Sequence, residues 1–183
     1  MGKEFAVIDD KIQRWLKKQK MFFVSTAPLK EDGLVNCSPK GGDTFMVLGP
    51  KEIAYLDYGG SGIETVAHIK ENGRVTIMFC AFEGPPKIFR FYGVGEVLEP
   101  GHGEFDDLRA KFPDHCGCRN IIRVKVSRIA DSCGYGVPTY DYAGERSSMQ
   151  NWVGSKTDEQ MRAYRLKNNA TSLDGLPGLD TSS

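Results

Sequence analysis

The sequence predicts a mainly β protein: six or seven short strands in a closed or nearly closed antiparallel barrel, with helices at its periphery. Three observations predict it. Apolar runs rich in Val, Ile, Phe and Tyr are separated by tight-turn sequences, KEDG (30–33), GPKE (49–52) and EGPPK (83–87). These runs follow one another as hairpins and do not alternate regularly with helical patterns, which argues against a doubly wound α/β sheet. The chain of 183 residues has room for one domain with a real core.

In order along the chain, residues 8–20 read as a helix, because Ile8, Ile12, Trp15 and Leu16 recur on one face. FFVSTAP (22–28) and LVNCSPKGG (34–42) form a first hairpin around KEDG. TFMVL (44–48) and IAYLDY (53–58) form a second. The glycine-rich turn after IAYLDY leads into a helix at 62–71 that buries Ile63, Val66, Ala67 and Ile69 and stops at Asn72-Gly73. RVTIMFCAF (74–82) and IFRFYGVGEVLE (88–99) pair as a third hairpin. Phe105, Leu108 and Phe112 align on a short helix at 103–112, and IIRVKVSRI (121–129) alternates as a strand with one wet face. Residues 1–132 are expected to form the barrel, with 133–183 as an extension packed on the same domain. That extension is rich in Gly and Tyr, carries a helix at 157–169 opened by a Thr157-x-x-Gln160 capping box, and ends in SLDGLPGLDTSS, which reads as an extended, mobile tail.

Composition removes several functions. Lys+Arg and Asp+Glu are both 24, so no basic excess supports a nucleic-acid site, and a barrel that stacks oligonucleotides is disfavoured. No apolar run is long enough to span a bilayer, and the charged N-terminus has no apolar core of a signal peptide. The five cysteines show no disulfide framework, which points to reduced thiols and a cytoplasmic location. His115-Cys116-Gly117-Cys118 is too tightly spaced for the usual zinc pair and has no second pair, so no metal site is expected, although Cys116 and Cys118 remain a candidate redox pair.

The turn DYGGSGIET (57–65) is the strongest local signal. Glycines between a strand and a helix aim backbone amides at an anion, yet the turn matches neither G-x-G-x-x-G nor the phosphate loop ending in Gly-Lys-Ser/Thr. It also misses the serine-hydrolase elbow, and His68 reads as a surface residue of the following helix. Ser61-x-x-Glu64 is a capping box, and a carboxylate at a helix start competes with phosphate for the same positive potential. A phosphate held here needs a cation from elsewhere. Tyr135, Tyr140, Tyr142 and Trp152 crowd the extension. They either cover a barrel end or a subunit interface, or they wall a flat ring.

FFVSTAPLKEDGLVNCSPKGG, IAYLDYGGSGIETVAHIKENGRVTIMF and IFRFYGVGEVLE, taken in order over residues 20–100, resemble the pyridoxamine 5′-phosphate oxidase-like, FMN-binding split-barrel family. SCGYGVP and the LDGLPGL tail resemble one subgroup of it. The resemblance implies a six-stranded antiparallel Greek-key split barrel and a homodimer with FMN at the subunit interface. It also implies a flavin-dependent oxidoreductase acting on a small-molecule substrate. Non-catalytic binding or sensing of flavin, haem or a deazaflavin is the alternative. By position, Lys40 neutralises phosphate charge and Ser38 bonds ribityl or phosphate oxygens. Tyr58, Ser61, Thr65 and the amides of Gly60 and Gly62 complete the cofactor site, and Arg90 reaches across the dimer. Tyr135 and Tyr140 are the substrate-side candidates. The chain lacks a second basic residue on the Lys40 strand, and its end reads GLPGL where the oxidase has Arg-Leu-x-Pro. Both departures argue against oxidation of vitamin B6 itself.

Overall fold

The computed structural model describes residues 2–114 and 117–180. Its strands are β1 (Glu4–Phe5), β2 (Met21–Thr26), β3 (Asn36–Gly41), β4 (Phe45–Gly49), β5 (Glu52–Tyr58), β6 (Arg74–Cys80), β7 (Ile88–Leu98) and β8 (Cys118–Ser132). Every pairing between them is antiparallel. The helices are α1 (Asp10–Leu16), α2 (Glu64–Asn72), α3 (Phe105–Arg109), α4 (Ser148–Gly154) and α5 (Asp158–Asn169). The count of six strands is therefore too low: all seven runs read from the sequence are present, and β1 is added. Two residues are too few to show a period.

The sheet runs β3-β2-β6-β7-β8-β5-β4, so β3 and β4, consecutive in sequence, lie at its opposite ends. Only residues 42–44 join them, a span of no more than about 15 Å. The sheet must therefore curl until its two ends nearly meet, leaving a split between them.

Alternation fills the interior. Phe22 and Val24 on β2, Ile53 and Tyr55 on β5, Val75, Ile77 and Phe79 on β6, and Phe89 and Phe91 on β7 share one core. Aromatic rings bridge the split: Phe22 lies 5.4 Å from both Phe45 and Tyr55, and Phe45 lies 4.8 Å from Phe79, centroid to centroid. The opposite face of β5, with Ala54 and Leu56, packs with Leu98, Ile121 and the α3 residues Phe105 and Leu108 in a second core. This explains why residues 53–56, IAYL, are apolar without alternation. α1 is shorter than the sequence suggests. Asp9 caps it by accepting from the Ile12 N–H, and it closes one barrel end with Ile12 and Leu16.

α2 packs on β2, β6 and β7 and ends at Gly73, whose φ of 73° puts it in the left-handed cap conformation. Two expectations for α2 fail. Its N-cap is Ile63 with no side-chain cap bond, so the Ser61–Glu64 capping box does not form. Glu64 accepts instead from the Leu173 N–H, 3.4 Å. His68 is fully buried, 3.0 Å from Thr26 through Nδ1, because the C-terminal segment covers the face that would otherwise meet solvent. That segment is a docked strap: Lys70 donates to the Gly178 carbonyl at 2.6 Å, and Leu179 is buried. The reciprocal Thr157–Gln160 capping box is present at the start of α5.

Candidate functional site

The site begins with one acid. Asp57, the penultimate residue of β5, is 0% exposed, and a carboxylate so placed is tolerated only when paired. Two cations meet it from separate elements. Lys40 on β3 places Nζ 2.6 Å from Oδ1, and Arg119 on β8 places Nε 2.9 Å from Oδ2. Burial alone would push the Asp57 carboxyl up, but Lys40 and Arg119 outweigh it and hold the group below the usual carboxylate range. The Lys40–Asp57 pair crosses the split, because β3 and β5 are not neighbours in the sheet.

Arg119 was not legible in the sequence. In the β5–β8 ladder Asp57 faces Asn120 and Tyr58 faces Cys118, so Arg119 is the extra residue of a β-bulge. The bulge turns its side chain to Asp57, where strict alternation would not place it.

Arg119 also fixes the glycine turn. Its Nη1 donates to the Gly60 carbonyl at 3.1 Å, and the Asn169 side-chain amide donates to the same oxygen at 2.8 Å. The Gly59 N–H donates to the Gly117 carbonyl at 2.8 Å. The N–H groups of Gly60, Ser61 and Gly62 make no hydrogen bond among the described residues.

These elements line a cleft of about 820 Å³. Six of the expected residues border it: Ser38, Lys40, Tyr58, Gly60, Gly62 and Thr65. Asn36, another residue missed in the sequence, ties two of them together. Its Nδ2 donates to Thr65 Oγ1 at 2.9 Å, and its Oδ1 accepts from Ser38 Oγ at 3.1 Å. The opposite wall comes from the extension, with Arg146, Met149 and Gln150.

The other expected residues lie elsewhere. The Ser61 side chain is exposed outside the cleft, since the helix starts beyond it. Arg90 donates to Ser132 Oγ at 3.0 Å on β7. Tyr135 is 81% exposed, and Tyr140 packs on Phe82 with centroids 5.5 Å apart. Neither tyrosine reaches the cleft of its own chain.

Cys118 is poorly suited to redox exchange. Burial pushes its thiol up to about 11, and Sγ donates to the Asn120 carbonyl at 3.3 Å. Its proposed partner Cys116, with His115, lies outside the described residues. Among the described residues no group of three or more His, Cys, Asp or Glu side chains is placed to hold a metal. No helix among them is long and apolar enough to cross a membrane.

Comparison with known proteins gives this architecture a family. The sequence model described as Pyridoxamine 5′-phosphate oxidase matches residues 8–133. A pyridoxamine 5′-phosphate oxidase family protein of Aspergillus flavus, ustO, is 33% identical over 195 residues, covering 97% of this chain and 78% of that protein. Among solved structures, HupZ of Group A Streptococcus superposes with a TM-score of 0.52 at 21% identity, over 68% of this chain and 99% of that chain. A Clostridium acetobutylicum protein related to general stress protein 26, of the pyridoxinephosphate oxidase family, has a TM-score of 0.52 at 13% identity, over 67% of this chain and 86% of that chain. Both structures carry the fold alone at such identities. The extent of the family match and the identity to the Aspergillus protein show that this chain belongs to the pyridoxamine 5′-phosphate oxidase family.

Proposed function

We propose that the cleft binds FMN and that the protein is a flavin-dependent oxidoreductase acting on a small molecule. The observation that carries the reading is the polar end of the cleft. Two cations, Lys40 and Arg119, converge on one buried carboxylate beside the N–H groups of the Gly60–Gly62 turn, which make no hydrogen bond among the described residues, although Glu64 also lines the cleft at this end. Fixed cationic and backbone N–H donors gathered at one end of a cleft suit a phosphate ester. The cleft volume lies within the range of small-molecule sites, about 300–1,000 Å³.

In this reading Lys40, Arg119 and the turn amides hold the phosphate. Ser38, Asn36 and Thr65 present a row of polar side chains to the ribityl hydroxyls, and Tyr58 borders the same end. When bound, the flavin supplies hydride or electron transfer. The chain's own task is binding, orientation and exclusion of water, with Leu56 and Met149 as apolar wall. Asp57 keeps both cations in place without facing the ligand as a free charge.

The functional unit we propose is a homodimer with the cofactor at the subunit interface. The end strand β4 supports this. Phe45 and Val47 pack on the first core and Met46 and Leu48 on the second, yet all four are only partly covered, which leaves an apolar strip along this end strand for a second copy. Arg90, Tyr135 and Tyr140, outside the cleft of their own chain, can then serve only a partner's site.

The test is a visible absorption spectrum of purified protein followed by FMN titration. A flavin spectrum, or saturable uptake of FMN, supports the reading. Colourless protein that takes up no FMN overturns it. Screening the loaded protein against reduced nicotinamides and pyridoxine phosphate then separates an enzyme from a binding protein.

A further inference from the structure

The Gly60–Gly62 turn is held from outside the segment that matches the family. That match ends at residue 133, whereas Asn169 is the last residue of α5. Asn169 is 0% exposed, and its Nδ2 lies 2.8 Å from the Gly60 carbonyl and 3.5 Å from the Ser61 carbonyl. All peptide bonds here are trans, so each carbonyl points opposite to the next N–H in its plane. Drawing the Gly60 and Ser61 carbonyls toward Asn169 therefore turns the Ser61 and Gly62 N–H groups the other way. Glycine peptides reorient at little cost. A Cβ at Gly60 would meet nothing within 4 Å, so side-chain packing does not hold that residue in place. Arg119 supplies one tie but is also committed to Asp57.

The LDGLPGL segment acquires a role in this arrangement. The Leu179 N–H donates to the Asn169 carbonyl at 2.9 Å and the Gly178 N–H to the Ala170 carbonyl at 2.8 Å, which anchors the end of α5. A Cβ on Gly178 would lie 2.2 Å from the Asn169 oxygen, so only glycine permits this approach.

We infer that Asn169 is a positioning residue for the phosphate end of the cleft: its side-chain amide sets the peptide planes of the Gly60–Gly62 turn, and the C-terminal extension thereby controls affinity for the phosphate of a bound flavin. The inference rests on the flavin reading above. Its consequence is selective. Asn169 should matter for FMN and not for riboflavin, which carries the same ring and ribityl chain without the phosphate.

The experiment is fluorescence titration of wild type, Asn169→Ala and Asn169→Leu with FMN and with riboflavin. Both variants are expected to bind FMN about tenfold or more weakly, with riboflavin affinity within about twofold of wild type. Riboflavin binding doubles as the folding control. Asn169→Leu keeps much of the side-chain volume while removing the donor and adds no charge to repel phosphate, so it answers the question if the alanine variant does not fold. Equal loss of both ligands makes Asn169 merely structural and overturns the inference, as does unchanged FMN affinity. Wild-type protein that binds neither flavin overturns the flavin reading, and the inference with it. Wild-type protein that binds FMN while the variants match it leaves the reading standing and the inference refuted.

Discussion

Two charge clusters on this barrel mirror each other. At the split, one acid, Asp57, sits between two bases, Lys40 and Arg119. On the outer face, one base, Arg123, sits among three acids, 3.9 Å from Glu52, 2.7 Å from Glu96 and 2.9 Å from Glu104. Geometry is good in both, and burial separates them. Asp57 has no access to water, so its partners are required; the Glu52, Glu96 and Glu104 side chains are 37–59% exposed and can be solvated without Arg123. The buried cluster also joins sheet ends that share no ladder, whereas Arg123 spans strands already paired through their backbones. A count of ion pairs would rank the outer cluster higher. Burial ranks the inner one higher, and it is the inner one that places two cations at a cleft.

The largest effect expected on this contrast is from Asp57→Ala. Removing the shared acid strands the buried guanidinium of Arg119 and should cost about 3–5 kcal/mol in urea-induced unfolding. A loss below about 1 kcal/mol would mean that water reaches the pair. Acid titration comes next. The Asp57 pKa is lower in the folded chain than in the unfolded one. Its contribution is therefore complete above the ordinary carboxylate range and is lost as pH falls through the depressed folded value. Thermal melts should show an acid-side decline that is weaker in Asp57→Asn. The smallest effect is expected from Arg123→Ala, with Tm within about 3 °C of wild type. A larger fall would erase the distinction between the clusters.

Much of the barrel was readable because its elements announce themselves locally. The turns KEDG and GPKE, the alternation in RVTIMFC and the stop at Asn72-Gly73 each act within a few residues. The failures share a different cause. Ser61-x-x-Glu64 has the spacing of a capping box, but the helix begins after Ile63, so the hydroxyl lies outside the first turn. His68 looks like a surface residue until the strap at 171–180 covers α2. Part of the cleft was legible as well: Ser38 and Lys40 sit on β3, and Tyr58, Gly60, Gly62 and Thr65 run from the end of β5 through the glycine turn into α2, where motif order places them. Arg119 was hidden because a bulge, not a period, aims it. Asn169 was hidden because its partner is more than a hundred residues away. Lys40 was found, but its immediate partner is an acid, Asp57, rather than an open phosphate site.

The central claim is that this paired Lys40 still serves the cleft, and FMN titration of wild type and Lys40→Ala tests it most directly. In the variant Asp57 retains Arg119, so the fold should survive, as melting of the apoprotein would confirm. FMN affinity should fall about tenfold or more, as expected for loss of a charged contact to phosphate. A Lys40→Ala protein that folds and binds FMN as tightly as wild type would contradict the account.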